Sequence, residues 1–182
     1  QHNICLVTEH IAGKLKSTGT KGLKRRVLTV VKCRDGKSWY RDESGKYWRV
    51  YIFISEHRSY DIVESLQHAS EGGKAIGLFQ SQLADLDSKL LYETIPWFHD
   101  IEKRLDAFQK ALAEDRSGRV KRLVKEIDFV KSRAEDMSVI LKMGKKGLIP
   151  SRITHNDTKF NNILLDNDNK ALCVIDLDTV MA

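Results

Sequence analysis

The first sixty residues combine one helical pattern with several strand-like runs. Residues 3–16 place apolar side chains at three- and four-residue steps, as one face of a helix does: Ile4, Val7, Ile11 and Leu15. Asn3 is the predicted N-cap of this helix. Runs of strand-forming residues follow at 26–32, 38–41 and 47–54, and the segments RDGKS and DESGK between them favour tight hairpin turns. This pattern predicts one helix beside an antiparallel meander.

From residue 61 onward the hydrophobic period is mainly helical. Residues 61–86 predict a helix that is loosened at Gly72–Gly73, with these inward positions: Ile62, Leu66, Ala69, Ile76, Phe79 and Leu83. A loop at 87–96 precedes a second helical span at 100–141, interrupted near Ser117–Gly118. Three short strands end the chain, within RITHND, NNILLDND and ALCVIDLD. We therefore predict an α+β fold, with a helix and antiparallel strands in 1–55 and a mainly helical region in 56–182.

The composition is that of a globular protein. Apolar residues make up 41% of the 182 residues and charged residues 31%. No apolar run approaches the roughly 20 residues that a membrane span needs. The three cysteines, Cys5, Cys33 and Cys173, show no CxxC spacing, which argues against a disulfide framework and for a reducing compartment. We expect a cytoplasmic protein without a membrane partner.

The formal net charge of +6 raises the question of a nucleic-acid partner. The basic residues are grouped within 21–26, 119–125 and 142–146. No aromatic residues alternate with them, as they do in many single-strand binding surfaces. Solvated helix faces and loops explain these groups more simply, so no nucleic-acid partner is expected.

A dense polar motif near the end of the chain carries the strongest chemical signal. His155 and Asp157 are followed by Asn162, and Asp176 comes fourteen positions later. A strand pair reversed by the turn DNDNK would return Asp176 to the neighbourhood of Asn162. Phosphoryl transfer needs such a set: one carboxylate for the acceptor hydroxyl, and an amide and a second carboxylate for the metal. Oxygen ligands without thiolates favour Mg²⁺ over Zn²⁺.

The motif HNDTKFNN…VIDLD resembles the catalytic and metal loops of the aminoglycoside phosphotransferase and choline kinase superfamily, which has a protein-kinase-like fold. The resemblance implies ATP as the phosphoryl donor and Asp157 as the catalytic base. It implies Asn162 and Asp176 as Mg²⁺ ligands, with His155 as a structural residue that holds the loop. Asp178 would be either a further metal ligand or a residue that supports the ligands.

Four segments resemble a narrower group, the N-acetylhexosamine 1-kinases: GKYWRVYIFI, GLFQSQLADL, ETIPWFHDIEKRLDAF and THNDTKFNNILLD. These enzymes phosphorylate the anomeric hydroxyl of GlcNAc or GalNAc, so an amino sugar is the expected small-molecule acceptor. The similarity runs from about Asn3 to the end of the chain. It implies part of a small lobe in 1–55 and part of a large lobe in 56–182.

The same resemblance implies roles for two further segments. Phe53, Ile54 and Ser55 would form the hinge, whose main-chain groups meet adenine. His99 would contact the sugar, although a packed structural histidine is the simpler interpretation. The family's phosphate-covering loop and C-terminal acceptor helices have no counterpart in this sequence. We therefore expect a fragment that lacks full activity by itself.

Several alternatives stay open at the level of sequence. Within the class, the acceptor could be choline, ethanolamine, homoserine or an aminoglycoside. A metal-dependent phosphohydrolase could use the same H-x-D and D-x-D groups without adenine. A nucleotide-binding pseudoenzyme would bind Mg-ATP without turnover, and the charge leaves a nucleic-acid-binding protein as a further hypothesis. The oligomeric state is not determined by any of these patterns.

Overall fold

The computed structural model describes residues 1–182 throughout, and these residues form two compact units. One unit contains Gln1–Thr94 together with Arg152–Ala182, and the other contains Ile95–Ser151. The boundary expected between residues 55 and 56 lies within the first unit, and the division into lobes at that point stays a prediction. None of the helices is both long and apolar enough to cross a membrane.

Seven α-helices and two two-stranded antiparallel sheets confirm the predicted α+β class. The helices are α1 (His2–Ser17), α2 (Leu23–Arg26), α3 (Leu66–Gln82), α4 (Ile101–Glu114), α5 (Val124–Lys131), α6 (Ala134–Met137) and α7 (Val139–Lys145). The strands are β1 (Tyr40–Arg41), β2 (Tyr47–Trp48), β3 (Ile163–Leu165) and β4 (Ala171–Val174). Single 3-10 turns occur at Ser88–Leu90, Val120–Arg122, Phe160–Asn162 and Leu177–Thr179.

Helix α1 buries the face that its spacing predicted. Ile4, Val7 and Ile11 are buried, and Leu15 packs half-buried beside them. They join the largest core cluster, which draws on α1, α3 and the end of the chain: Ile4, Val7, Ile11, Val27, Phe79, Leu83, Ile153, Leu177 and Val180. The removal of this apolar surface from water is the main source of stability for α1.

The predicted capping role of Asn3 was wrong, because α1 begins at His2, ahead of it. The Asn3 side chain is buried and its amide donates to the carbonyl oxygens of Tyr92 and Val180, at 2.7 and 2.8 Å. Its Oδ1 accepts from the Tyr92 N–H at 2.9 Å. Buried amides need hydrogen-bond partners, and here these partners tie α1 to two distant segments.

The predicted meander exists, but its regular strands are much shorter than expected. The first run, 26–32, begins in α2 and contributes only an isolated antiparallel bridge from Val30 to Tyr51. Strands β1 and β2 pair over two residues each. Both predicted turns are present, with Gly36 and Gly45 at φ of 83° and 84°, a conformation that glycine adopts without steric cost.

Helix α3 begins at Leu66, later than predicted, because Ser65 caps it. The Ser65 hydroxyl oxygen accepts from the His68 N–H at 3.1 Å. The predicted inward positions Ile62, Leu66 and Ala69 are exposed, Leu66 by 91%. That part of the predicted face was therefore wrong.

The buried face of α3 contains small residues as well as large ones: His68, Gly72, Ala75, Phe79 and, just after the helix, Leu83. Of these, Phe79 and Leu83 were predicted. At Gly72 a Cβ would lie 2.8 Å from the ring of Phe160 and 3.7 Å from Ile163. Gly72 thus marks a close approach between α3 and the end of the chain, not a loosened turn of the helix.

The second unit, Ile95–Ser151, confirms the predicted helical span and its interruption. Helix α4 ends at Glu114 and is capped by Asp115, which has a left-handed backbone (φ 34°), and α5 starts after Ser117–Gly118. The rest of the span forms three short helices, not one long one. Ile127 is the only buried hydrophobic residue of this unit.

Candidate functional site

Strands β3 and β4 form the support of the site. All three residues of β3 are buried, and Leu172 and Cys173 of β4 are buried opposite them. Leu164 is paired with Cys173, with an irregular register just beyond. Because both strands are fixed in the core, the polar residues that flank them can occupy defined positions.

The turn between these strands uses aspartate as predicted. Asp166 Oδ1 accepts from the N–H groups of Asp168 and Lys170, at 3.0 and 2.9 Å. Asn169 has φ of 57°, which asparagine tolerates better than most residues. The Asp166 carboxylate is therefore accounted for by local backbone chemistry.

His155 ties the polar loop to the end of β4. The ring is 1% exposed, and its Nδ1 accepts from the Asp157 N–H at 3.3 Å. Nε2 therefore carries the proton and donates to the Ile175 carbonyl oxygen at 2.8 Å. The ring also packs edge-on against Phe79, and the His155 carbonyl oxygen accepts from the Thr179 hydroxyl at 2.6 Å. These contacts support the predicted structural role, and they leave no ring nitrogen for acid–base chemistry.

Asp157 lies beside Asn162, as the motif predicted. Asn162 Nδ2 donates to the Asp157 carbonyl oxygen at 2.8 Å and lies 3.4 Å from its Oδ2. The 3-10 turn Phe160–Asn162 makes the intervening loop compact. The carboxylate is 31% exposed, so a solvent-borne hydroxyl group can reach it.

Lys159 contacts the Asp157 carboxylate and was not predicted from the sequence as a site residue. Its Nζ lies 3.0 Å from Asp157 Oδ2, and this contact lowers the pKa of Asp157 below its usual value. In turn the pKa of Lys159 is raised, chiefly by Asp157 and also by Asp176. Lys159 therefore places a positive charge near both carboxylates. Its position inside the motif was the only available signal.

Asp176 is brought to the same place by the backbone. The Ile175 N–H donates to the Asn162 carbonyl oxygen at 2.9 Å, so the residue that follows lies next to the Asn162 segment. Asp176 itself is exposed and has a left-handed backbone, with φ of 59° and ψ of 56°. This conformation is uncommon for residues other than glycine and is frequent at functional sites.

Asp178 lies in the 3-10 turn that follows and is paired with Arg49. Arg49 Nη1 donates to Oδ1 at 2.6 Å, and Nη2 donates to Oδ2. This contact lowers the pKa of Asp178 and raises that of Arg49. No local sequence signal could have identified this pair, because the two residues are far apart in the chain.

The donor chemistry around Asn162 and Asp176 fits a hard cation. Both side chains offer oxygen ligands, and the hydrogen bond from the Ile175 N–H to the Asn162 carbonyl oxygen brings their backbone segments together. Both ring nitrogens of the nearby His155 are already hydrogen-bonded. No group of three His, Cys, Asp or Glu side chains forms a metal cluster. The metal role of Asn162, Asp176 and Asp178 stays a prediction.

The predicted hinge residues lie beside the strand pair, and two of their carbonyl groups are already paired. The Ile54 oxygen accepts from His57 Nδ1 at 2.5 Å, and the Ser55 oxygen accepts from Arg25 at 3.2 Å. Ile54 is buried, whereas Phe53 is 78% exposed. Adenine binding by Phe53, Ile54 and Ser55 stays a prediction.

His99 belongs to the other unit, where its ring lies 4.5 Å from that of Phe98. The predicted sugar contact of His99 stays a prediction. The residues brought together in the first unit are His155, Asp157, Asn162 and Asp176, with Asp178 one turn further on.

A comparison with family models identifies the family of this chain. The model of the APH phosphotransferase enzyme family matches residues 24–182. The match covers most of the chain and includes the whole polar loop and both strands that support it. The protein therefore belongs to the APH phosphotransferase enzyme family.

Proposed function

We propose that this member of the phosphotransferase family uses ATP and Mg²⁺ to phosphorylate a hydroxyl group of a small molecule, most specifically the anomeric hydroxyl of GlcNAc or GalNAc. The observation that carries the proposal is the contact of the Asp157 carboxylate with the Asn162 amide, one backbone hydrogen bond away from Asp176. An acceptor-binding carboxylate beside two oxygen ligands is the arrangement that phosphoryl transfer requires.

Asp157 would bind and orient the acceptor hydroxyl group. The hydroxyl oxygen forms a bond to the γ-phosphorus of ATP while the bond to the β–γ bridging oxygen breaks, ADP leaves, and the hydroxyl proton passes to Asp157. Lys159 contacts the Asp157 carboxylate and lowers its pKa, and an aspartate is ionised at neutral pH with or without this contact. His155 keeps the loop in place from its buried position.

Asn162 and Asp176 would hold Mg²⁺. When bound, the cation neutralises negative charge on the β- and γ-phosphates as the bond breaks. The left-handed backbone of Asp176 turns its carboxylate out of the buried strand, where it is exposed. Phe53, Ile54 and Ser55 would offer main-chain groups to adenine.

The amino sugar is proposed from the four segments that resemble N-acetylhexosamine 1-kinases, with His99 as a candidate contact. The family match supports phosphoryl transfer in general and leaves the acceptor to experiment. Choline, ethanolamine, homoserine and aminoglycosides are the competing acceptors, because the same catalytic loop serves each of them.

The test uses the full-length product of the gene alongside residues 1–182. Each is incubated with Mg-ATP and, one at a time, GlcNAc, GalNAc, glucose, choline, homoserine and kanamycin. ADP release is followed, and the product is identified by phosphorus NMR. We expect a sugar 1-phosphate whose formation is lost in Asp157→Asn and retained in Asp166→Asn. Asp166 is the matched control, because it lies in the supporting turn and makes only local backbone contacts.

Other outcomes identify the alternatives. ADP formed only with choline, homoserine or kanamycin keeps the mechanism and overturns the sugar assignment. Phosphate release without an acceptor, or from a phosphoester without ATP, indicates a phosphohydrolase. Tight Mg-ATP binding without turnover by the full-length product indicates a pseudoenzyme. Salt-dependent DNA or RNA binding that persists in Asp157→Asn would favour the nucleic-acid hypothesis.

A further inference from the structure

Arg49 connects the strand that leads to the predicted hinge with the turn that follows Asp176. It directly follows β2, and four residues later the chain reaches Phe53. Its partner Asp178 lies two positions after Asp176, in the 3-10 turn Leu177–Thr179. The ion pair thus joins two segments that are 129 residues apart in sequence.

The geometry of this ion pair is unusually restrictive for a surface contact. Both guanidinium nitrogens Nη1 and Nη2 donate to separate carboxylate oxygens, the fork arrangement that fixes orientation as well as distance. The Arg49 guanidinium also lies over the Tyr51 ring, 5.6 Å from its centroid. Both charged side chains are partly buried, at 35% and 48% exposure. Most exposed ion pairs contribute little to stability. The main effect of this one is therefore to fix the orientation of the Asp178 carboxylate.

The turn is held from several directions. The Thr179 hydroxyl donates to the His155 carbonyl oxygen, and the Thr94 hydroxyl donates to the Asp178 carbonyl oxygen at 3.4 Å. Leu177 and Val180 are buried on either side of Asp178. Arg49 donates to both oxygens of the Asp178 carboxylate, which also contacts the side chain of Asp176. The orientation of the preceding Asp176 backbone is therefore set partly by this turn.

We propose that Arg49 is a positioning residue for the metal site, and that Asp178 serves as its anchor and not as a metal ligand. This inference rests on the proposed function, because it assigns Asp176 and Asn162 to the cation. Both oxygens of Asp178 are engaged by Arg49, whereas Asp176 is exposed next to Asn162. Arg49 acts through the turn, and it holds Asp176 in the left-handed conformation that points its carboxylate outward.

Residues that orient metal ligands have a measurable effect on metal affinity, typically a loss of roughly 10- to 100-fold when they are removed. For Arg49→Ala we expect roughly tenfold weaker Mn²⁺ binding, by electron paramagnetic resonance. Asp178→Asn should resemble Arg49→Ala, and Asp176→Asn should lose more affinity than either. Arg49→Lys should restore part of the affinity, since a lysine keeps the charge but not the two-pronged contact.

Arg41 provides a matched control in the same strand pair. Its guanidinium also lies 5.6 Å from a tyrosine ring, that of Tyr47, but it forms no ion pair with a carboxylate. Arg41→Ala should therefore leave Mn²⁺ affinity unchanged. Amide hydrogen exchange of the metal-free variants should be faster at residues 176–180 in Arg49→Ala and unchanged there in Arg41→Ala.

The two measurements separate the possible failures. If the unmodified protein binds no Mn²⁺, the proposed function and the metal part of this inference both fail, whatever the exchange data show. If it binds Mn²⁺, equal affinity in Arg49→Ala overturns the positioning role. A loss of affinity in Asp178→Asn as large as that in Asp176→Asn, without faster exchange at 176–180, would make Asp178 a ligand and overturn its role as anchor.

Discussion

The two antiparallel strand pairs of the first unit have the same topology and opposite surroundings. Every residue of β1 and β2 is exposed, whereas all of β3 and the centre of β4 are buried. The first pair is held by surface contacts such as the Trp39–Tyr47 ring pair and the hydrogen bond from Trp48 to Asp42. The second pair is held by the core, and it carries the candidate site.

The difference shows what fixes a polar group in space. A ladder of a few hydrogen bonds contributes little net stability, since water competes for the same groups. Burial of the flanking side chains fixes the strand, and close packing transmits that order to its ends. Asp157, Asn162 and Asp176 therefore gain defined positions from Ile163–Leu165 and its partner strand, not from their own polar contacts alone.

The largest expected effect comes from truncation of a buried strand residue. Leu165 is completely buried, so Leu165→Ala should lower the free energy of unfolding by about 2–5 kcal/mol, as buried leucine truncations do. Tyr47→Ala in the exposed pair should cost less than about 1 kcal/mol, because it removes mainly one aromatic contact. Urea denaturation followed by circular dichroism measures both. Equal losses in the two variants would contradict the comparison.

The labelling rates of two native cysteines allow the two strand pairs to be compared without any mutation. Cys173, in β4, is buried, and burial raises the pKa of its thiol to about 12 from an ordinary value of 9.0. Disulfide reagents react with the thiolate form. At pH 8 the thiolate fraction of Cys173 should be about a thousandfold smaller than that of a cysteine with the ordinary pKa. Cys33, near β1, is half-buried and should react much faster. Timed labelling followed by peptide mass spectrometry gives each rate, and rapid labelling of native Cys173 would show that β4 is not firmly packed.

The contact of α3 with the polar loop that contains Phe160 can be tested at one glycine, Gly72. Alanine forms helices better than glycine by about 1 kcal/mol, but in Gly72→Ala the new methyl would meet Phe160 at 2.8 Å. Overpacking costs about 1–3 kcal/mol, so we expect a net loss of stability and a disturbed loop. Thermal unfolding and Mg-ATP titration check both consequences.

Gly77→Ala is the control for this substitution, because nothing lies within 4 Å of its added methyl in the same helix. It should raise the melting temperature, since only the helix preference changes. A second change, Phe160→Leu, should recover part of the stability lost in Gly72→Ala. Equal changes in stability in Gly72→Ala and Gly77→Ala would mean that α3 is not closely packed against Phe160.

The smallest expected effect concerns the exposed charge pair at the site. Removal of the positive charge in Lys159→Met should raise the pKa of Asp157, because the hydrogen bond from Lys159 is the main cause that lowers it. A carboxyl carbon titration by NMR measures the shift. Lys170→Met, in the turn of the same strand pair, should leave the pKa of Asp157 where it is.

The sign of the pH dependence follows from this direction. The pKa of Asp157 is lower in the folded protein than in the unfolded chain, so the contact stabilises the fold above the unfolded-state value. That contribution disappears as the pH falls through the folded-state value. In Lys159→Met the acid side of the stability curve should therefore become slightly flatter. A steeper acid side would contradict the assigned partner.

The sequence predicted best what depends on neighbouring residues. The α1 face, both glycine turns and the aspartate turn follow from local spacing, and the structure contains each of them. Asp157 and Asn162 also meet as expected, because a short loop next to a buried strand leaves few alternatives. The α+β class follows from the same local patterns.

Long-range contacts account for what the sequence did not predict. Asn3 was read as a cap, but its partners lie 89 and 177 residues away. The α3 face was misplaced because Gly72 carries no hydrophobic signal, although it allows Phe160 to approach. The Arg49–Asp178 pair joins residues that are 129 positions apart. Such pairings depend on the tertiary arrangement, which hydrophobic periodicity does not describe.

The left-handed backbone of Asp176 has a consequence for laboratory evolution. Glycine adopts that conformation more easily, and the steric penalty it avoids is about 1 kcal/mol. In a randomised library sorted only for expression or heat resistance, glycine should therefore be enriched at position 176, and the carboxylate would be lost. Selection for robustness alone would then remove the proposed metal ligand from this chain.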